Sequence, residues 1–332
     1  MKNIHVDSSS GIPKYKQIIS SIEESISEKQ FLKGDRLPSV NKVCMAFKLS
    51  RDTVLQAYEE LKKRGVVYAI PGKGYYIKST EFSFDQRFFV LFDEFNAFKE
   101  DVYTSFLEAV AGRAQIDIYF HHFNVAMFRK LIHDAHGHYT KYIIMPTNLL
   151  GAADIIKSLP ENDVYILDQT NDDLKNYPTI FQDFVNTMYH SLVELHPNLN
   201  KYSKLVLIFP GFKEPLGMVE GFLRFCKEKE IAHEIWNHYE DQMLFSGEAF
   251  VVPNDRDLVA IIEQAQRQGL VLGEEVGVVS YNETPLKKLV HKGITTISTD
   301  FKAMGRTLAH IVLNHQKSQI VNPSGVIVRN SL

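Results

Sequence analysis

The chain has 332 residues, 45 % of them hydrophobic, with 37 Lys/Arg against 40 Asp/Glu. That length favours two domains, and that apolar share excludes a disordered or fibrous chain. Apolar runs such as Leu205 to Phe209 are strand-sized and exclude a membrane span, while Cys44 and Cys226, with no CxxC, exclude a disulfide scaffold. The two thiols fit a reduced cytoplasmic setting, and the opening MKNIHVDSSSG has no apolar core of a signal peptide.

Charge is uneven along the chain. Residues 1–80 hold 14 Lys/Arg and 8 Asp/Glu, a net of +6, and the remainder holds 23 against 32, a net of −9. A basic module on an acidic body points to a polyanion met by the first part only.

Tyr15, Ile18, Ile19, Ile22 and Ile26 repeat at steps of three and four and predict an amphipathic helix. A turn follows at Lys33 to Pro38. Ser39 stands where an N-cap is needed, ahead of Val40, Val43, Cys44 and Phe47. Ser50 can cap a third helix with a buried face of Val54, Ala57, Tyr58 and Leu61, closed by Lys62-Lys63-Arg64 and Gly65. The period then changes: Val66 to Ile70, Pro71-Gly72-Lys73-Gly74, and Tyr75 to Lys78 read as a hairpin with a basic tip. Three helices and a hairpin make a winged helix-turn-helix. Its third helix suits a major groove, and its tip suits phosphates or the adjoining minor groove.

GDRLPS (Gly34 to Ser39), SRDTVLQAYEEL (Ser50 to Leu61) and PGKGYY (Pro71 to Tyr76) together resemble the GntR family of bacterial regulators from about Pro13 to Ile77. The resemblance implies that Arg36 and Ser39 hold phosphates, that Ser50, Arg51 and Thr53 open the recognition helix, and that Gly72, Lys73 and Gly74 form the wing tip. Arg51 has the fork to read a guanine edge. Asn41-Lys42 stands where many relatives have Arg-Glu, and Leu55 where many have Arg, so a contact is lost or moved to Lys42 or Gln56. Ser50 and Thr53 equally suit simple capping.

Residues 1–79 are therefore expected to form the DNA-binding domain, 80–87 a linker and 88–332 the second domain. There, short apolar strands alternate with helical stretches. Strands are predicted at Phe88–Phe92, Ile116–Phe120, Tyr142–Met145, Val164–Leu167, Lys204–Phe209, Phe250–Val252, Val276–Ser280 and Thr295–Ile297. Helices are predicted at Tyr103–Ala114, Met127–Ala135, Leu216–Lys229, Leu258–Gln268 and Phe301–His315. Such alternation predicts an α/β fold with parallel sheets, and its length predicts two lobes that bind a ligand at the carboxyl ends of the strands.

Val252-Pro253-Asn254-Asp255, Gly269-Leu270, Glu275 to Thr284 and the tail Val326 to Leu332 resemble the LacI-type, periplasmic-binding-protein-like sensor domain. The resemblance implies a cleft for a sugar or nucleobase. Asn254, Asp255 and Asn282 are its second-lobe candidates, Asp255 the carboxylate among them. Asn282 replaces the usual Asp, and Met218 stands where relatives often have Arg, which argues against an acidic effector and leaves room for a methyl. First-lobe candidates follow strands: Asp93, Glu94 and Phe95; His122 and Asn124; Thr147 and Asn148; Asp168 or Gln169. Trp236 or Tyr239 suits an aromatic lid. Strand-end polar residues also serve as helix caps and loop surface.

His121, His122, His133, His136 and His138 cluster in the sequence but match no closed zinc set. No GxSxG, P-loop, GxGxxG or HExxH occurs. No metal, cofactor or enzymatic activity is expected. The expectation is a homodimeric, cytoplasmic transcription regulator, a repressor of carbohydrate genes, that binds a two-fold double-stranded DNA operator and a small neutral sugar, such as a pentose or 6-deoxyhexose. Cleft closure is expected to change how its two winged helices fit the operator. A nucleobase effector is the alternative, and a sugar-processing enzyme tethered to DNA a weaker one.

Overall fold

The computed structural model describes residues 4–7, 13–80, 86–111, 113–211, 213–240 and 242–332. Of the expected linker, residues 81–85 lie outside these. The chain forms two compact units. One comprises Met1–Phe89, Arg113–Asp117 and Lys130–Lys141, and the other comprises Val90–Gly112, Ile118–Arg129 and Tyr142–Leu332.

At the N-terminus stand α1 (Lys14–Ser27), α2 (Val40–Phe47), α3 (Arg51–Lys63), β1 (Val67–Ile70) and β2 (Gly74–Ile77). The apolar steps of α1 bury Ile18, Ile19, Ile22 and Ile26 in one core with Val43, Val54, Ala57 and Leu61. Ser39 Oγ accepts from Lys42 N and Ser50 Oγ from Thr53 N, so both expected caps form. The buried Tyr58 hydroxyl donates to Pro38 O at 2.8 Å and pins the turn before α2. β1 and β2 pair antiparallel from Val67–Ile77 to Ile70–Gly74.

Then follow β3 (Gln86–Phe92), α4 (Ala97–Val110), β4 (Ala114–Phe120), α5 (Val125–Ala135), β5 (Lys141–Ile144), α6 (Ala152–Ile156), β6 (Val164–Asp168) and β7 (Thr179–Phe181). The chain continues with α7 (Phe184–Leu199), β8 (Lys204–Ile208), α8 (Gly217–Glu228), β9 (Ala232–Trp236), β10 (Glu248–Val252), α9 (Asp255–Gln268), β11 (Val276–Tyr281) and β12 (Thr295–Thr299). It ends with α10 (Phe301–Leu313), β13 (Gln319–Val321) and β14 (Ser324–Ile327). Two six-stranded sheets result, of order β13-β7-β6-β5-β3-β4 and β14-β12-β11-β10-β8-β9. Registers such as β8–β10 and β10–β11 are parallel, as buried Val/Leu/Ile strands require. Among the described strands of the second sheet, only β14 runs antiparallel to its neighbour, β12.

Each sheet carries one lobe, and the chain passes between lobes after β7, after β12 and between β13 and β14. These crossings are tied together: Asn322 N donates to Phe181 O at 2.7 Å, Asn322 Nδ2 to Asp300 O at 3.0 Å, and Asp300 N to Pro323 O at 3.0 Å. After its crossing α10 packs on α4. A Cβ at Gly305 would lie 2.1 Å from Ser105 Oγ and 2.3 Å from Val102 O, so the helix contact needs glycine there.

Several boundaries differ from expectation for a local reason. α4 starts at Ala97, six residues before the predicted Tyr103, because Asn96 Oδ1 accepts from Phe98 N and Lys99 N. α9 starts at Asp255 because Asn254 caps it. α6, α7, β7, β9, β13 and β14 had no predicted counterpart. Among the described residues no helix is long and apolar enough to cross a membrane.

Candidate nucleic-acid interface and ligand cavity

The N-terminal elements leave a basic, polar face. Arg36, Ser39, Lys42, Ser50, Arg51, Gln56, Gly72 and Lys73 are exposed, and Thr53 and Gly74 half-exposed. Ser50 and Thr53 serve the cap: Thr53 N donates to Ser50 Oγ at 3.2 Å, and the two hydroxyl oxygens lie 2.8 Å apart. Their capping leaves Arg51, the first residue of α3, clear of the protein. Arg36 bridges to Tyr76 through the backbone, and its guanidinium covers Gly74, whose Cβ would sit 3.4 Å from Nε. At a φ of +113°, Gly74 takes a conformation that L side chains avoid, which lets the turn and the wing tip close together.

In the two-lobed part a cavity of about 320 Å³ opens at the carboxyl ends of the strands. From the first lobe come Asp93 and Glu94 after β3, Phe98 and Lys99 on α4, and Asp168 and Gln169 at the end of β6. From the second come Glu214 just before α8 and Met218 in its first turn, Asn254 before α9, and Tyr281 and Asn282 at the end of β11. Asp168 and Asn282 hold φ of +74° and +63°, left-handed backbone of the kind that collects at binding sites.

Lys99 is the electrostatic centre. Its buried ammonium lies 3.5 Å from Asp93 and 3.7 Å from Asp168. Burial acts to lower the Lys99 pKa, but the two carboxylates outweigh it and hold the pKa above its ordinary value. Burial pushes the Asp93 carboxyl up, against the pull of Lys99. Asp168 Oδ1 also accepts from Gln182 Nε2 at 2.5 Å, and Gln182 Oε1 accepts from Thr299 Oγ1 at 2.5 Å. Across the mouth, Lys213 pairs with Glu94 and lies 4.9 Å from the Phe123 ring centre. Among the described residues, three lining atoms are buried with no hydrogen-bond partner: Tyr281 Oη, Asn282 Oδ1 and Glu214 Oε2.

Of the ten expected ligand contacts, Asp93, Gln169, Met218, Asn254 and Asn282 line this cavity. Asn254 also caps α9 through Oδ1, at 2.7 Å from Arg256 N. Five others do not line it. Asp255 is turned to the buried Lys287, 2.9 Å away, which also donates to Tyr281 O and Asn282 O. Trp236 packs on Phe250, with Nε1 on Glu234 at 2.7 Å. Thr147 is buried, with its hydroxyl on Pro146 O. Phe95 and His122 are exposed beside Phe120. Tyr239, the other lid candidate, is buried and donates to Gln242 O. Lys99, Gln182, Lys213, Glu214 and Tyr281 were not singled out in the sequence. Lys99 offered one signal, its place three residues after the capping Asn96 and beside Phe98 in the first turn of α4. Among the described residues no cluster of metal-ligating side chains forms.

The tail motif has a structural use. Arg329 makes a forked pair with Glu283 at 2.7 and 2.9 Å, and Ser331 Oγ donates to Val278 O at 2.6 Å. Burial acts to raise the Glu283 pKa, but Arg329 and Thr296 hold it below its usual range.

Residues 14–77 match the family model of the bacterial regulatory proteins, gntR family, and residues 203–332 match that of the periplasmic binding protein-like domain. The HTH-type transcriptional repressor YtrA of Bacillus subtilis (strain 168) is 35 % identical over 74 residues, 22 % of this chain and 57 % of YtrA. The mannosyl-D-glycerate transport/metabolism system repressor MngR of Escherichia coli (strain K12) is 34 % identical over 82 residues, 25 % of this chain and 34 % of MngR. The match thus spans less than two thirds of either relative. A periplasmic binding protein/LacI transcriptional regulator from Alkaliphilus metalliredigens QYMF, solved with D-xylulofuranose, superposes with a TM-score of 0.58 at 14 % identity. That superposition covers 74 % of this chain and 98 % of the other, a likeness of fold.

Proposed function

We propose that this chain, which joins a GntR-family helix-turn-helix domain to a periplasmic-binding-protein-like domain, is a sequence-specific transcription regulator rather than an enzyme. Residues 1–79 bind double-stranded DNA as one half of a homodimer on a two-fold site, and residues 88–332 bind a small effector that sets the affinity for that site. The role is that of a cytoplasmic repressor of carbohydrate genes. Arg51 reads a base edge, Lys42 and Gln56 take over contacts made elsewhere in the family, and Arg36, Ser39 and Lys73 hold phosphates.

The observation that carries this reading is the pairing, in one chain, of an exposed basic helix start with a cavity that keeps three buried polar atoms without protein partners. Buried polar atoms cost free energy until they are bonded, so such a cavity favours a hydroxylated ligand. Its volume, near the low end of ligand pockets, suits a monosaccharide. Met218 supplies an apolar wall where a guanidinium would have met an acid group. The D-xylulofuranose of the similar structure and the sugar-derived name of MngR support the same class.

The test begins by selecting DNA from a random pool with the full chain. Anisotropy on the recovered site then follows, with and without pentoses, hexoses, sugar acids, phosphosugars and purines. A recovered palindrome whose affinity a non-acidic sugar alters is the expected result. A response to purines alone would refute the sugar assignment, and no sequence preference would refute the DNA assignment.

A further inference from the structure

The charges that line the cavity do not balance. Asp93, Glu94, Asp168 and Glu214 supply four carboxylates, and Lys99 and Lys213 supply two ammonium groups. Both cations are committed, Lys99 to Asp93 and Asp168 and Lys213 to Glu94. An acidic ligand would find no uncommitted cation among these residues. Glu214 is the carboxylate left over, and its Oε2 is buried with no partner. Tyr281, 1 % exposed, likewise keeps its hydroxyl without a partner, and Asn282 its Oδ1.

A neutral sugar would give Glu214 a hydroxyl hydrogen but leave the two surplus negative charges in a half-enclosed, aromatic-walled space. Uncompensated charge there is costly, and an ammonium offsets one of the two charges while forming the stronger, charge-assisted bond with Glu214. The rings of Phe98, Phe184 and Phe301 also line the cavity, and aromatic faces attract cations. Lys213 already lies 4.9 Å from the centre of one such ring, that of Phe123.

We infer that the effector is an amino sugar, a monosaccharide bearing a primary ammonium, and that Glu214 is the residue that selects the amine. Its hydroxyls satisfy Tyr281 and Asn282. This rests on the reading of the cavity as a sugar site.

The test is titration calorimetry on the full chain with D-glucosamine, D-galactosamine and D-mannosamine, each beside its N-acetyl derivative and its parent hexose. One free amine should bind at least about tenfold more tightly than both uncharged counterparts, as a charge-assisted bond implies. Glu214→Gln keeps shape but not charge, and should weaken the free amine more than the uncharged sugars, so that most of that preference is lost. A parent hexose that binds as tightly as its amine overturns the amine inference and leaves the sugar site standing. A preference undiminished in Glu214→Gln overturns the role of Glu214. No response to any sugar overturns the sugar reading and the inference with it.

Discussion

Replacement of Lys99 by Met tests whether the buried ammonium organises the cavity. The Met side chain fills the space of the lysine stem but leaves Asp93 and Asp168 without their cation, both less than a tenth exposed at the side chain. Removing one partner of a buried ion pair costs about 3–5 kcal/mol, because the remaining charge has no partner. At roughly 2–4 °C per kcal/mol for a folding unit of this size, the melting temperature should fall by about 6–20 °C. The loss should depend on pH with a definite sign. Burial already raises the folded pKa of Asp93 above its unfolded value. Such a carboxyl favours the folded state below its unfolded pKa, and that contribution is lost as pH rises through the folded pKa. Without Lys99 the shift grows, so the defect of Lys99→Met should be large near about pH 7.5 and smaller near about pH 4.5. Urea and thermal unfolding of both proteins at the two pH values make the comparison. Adding Asp93→Asn to Lys99→Met should restore part of the lost stability. A neutral-pH loss below about 1 kcal/mol, or an equal loss at both pH values, would refute the buried-triad account.

Arg51→Ala should cost about 1–3 kcal/mol per half-site on the selected operator and relax preference at one base position, with anisotropy as the readout. Lys73→Ala should weaken all DNA alike and reduce the slope of log K against log salt by about one ion per wing. Gly305→Ala should lower the melting temperature by several degrees, since its Cβ would fall 2.3 Å from Val102 O, a backbone atom that cannot give way without separating α10 from α4. Asp255→Ala should reduce effector affinity only a few-fold, through Lys287 and the Asn282 carbonyl it holds. A complete loss of binding would instead make Asp255 a direct ligand contact.

What was legible in the sequence was what is decided locally. Ser39 and Ser50 mark their helices because a cap needs only the next three residues, and the wing follows from Pro71 to Gly74 for the same reason. The buried strands showed as apolar runs. β9, by contrast, reads Ala-His-Glu-Ile-Trp and lies exposed at a sheet edge, where no apolar alternation is required. In α7, Pro197 falls inside the last turns and hides a helix whose buried face, Met188 to Leu199, is otherwise regular. Strand-end polarity located Asp93, Gln169, Asn254 and Asn282 but could not rank them against Asp255, because the partner of Asp255 is Lys287, on a later turn. The helix-start position of Lys99 could not announce its burial for the same reason: a lysine in the first turn of a helix is ordinarily solvated, and its burial depends on Asp168 two strands away in the sheet.

The cavity and the lobe crossings share one hydrogen-bonded chain, and this links ligand binding to lobe geometry. Thr299, the last residue of β12 before a crossing, donates to Gln182, which follows β7 at another crossing. Gln182 donates to Asp168, and Asp168 shares Lys99 with Asp93. A ligand that bonds to Asp168 therefore competes with, or reinforces, the group that fixes Gln182 between the two crossings. A second tie, Lys213 to Glu94, spans the lobes at the mouth and is more exposed. A ligand shifts such an arrangement only by the difference in its affinity for the open and closed forms, and a full switch needs about 10⁴-fold discrimination, near 5.5 kcal/mol. One charge-assisted bond supplies a fraction of that. The remainder has to come from groups on both lobes that a single ligand engages at once. Glu214, Tyr281 and Asn282 on one side and Asp93, Asp168 and Gln169 on the other line one cavity, so a single ligand there can reach both sets.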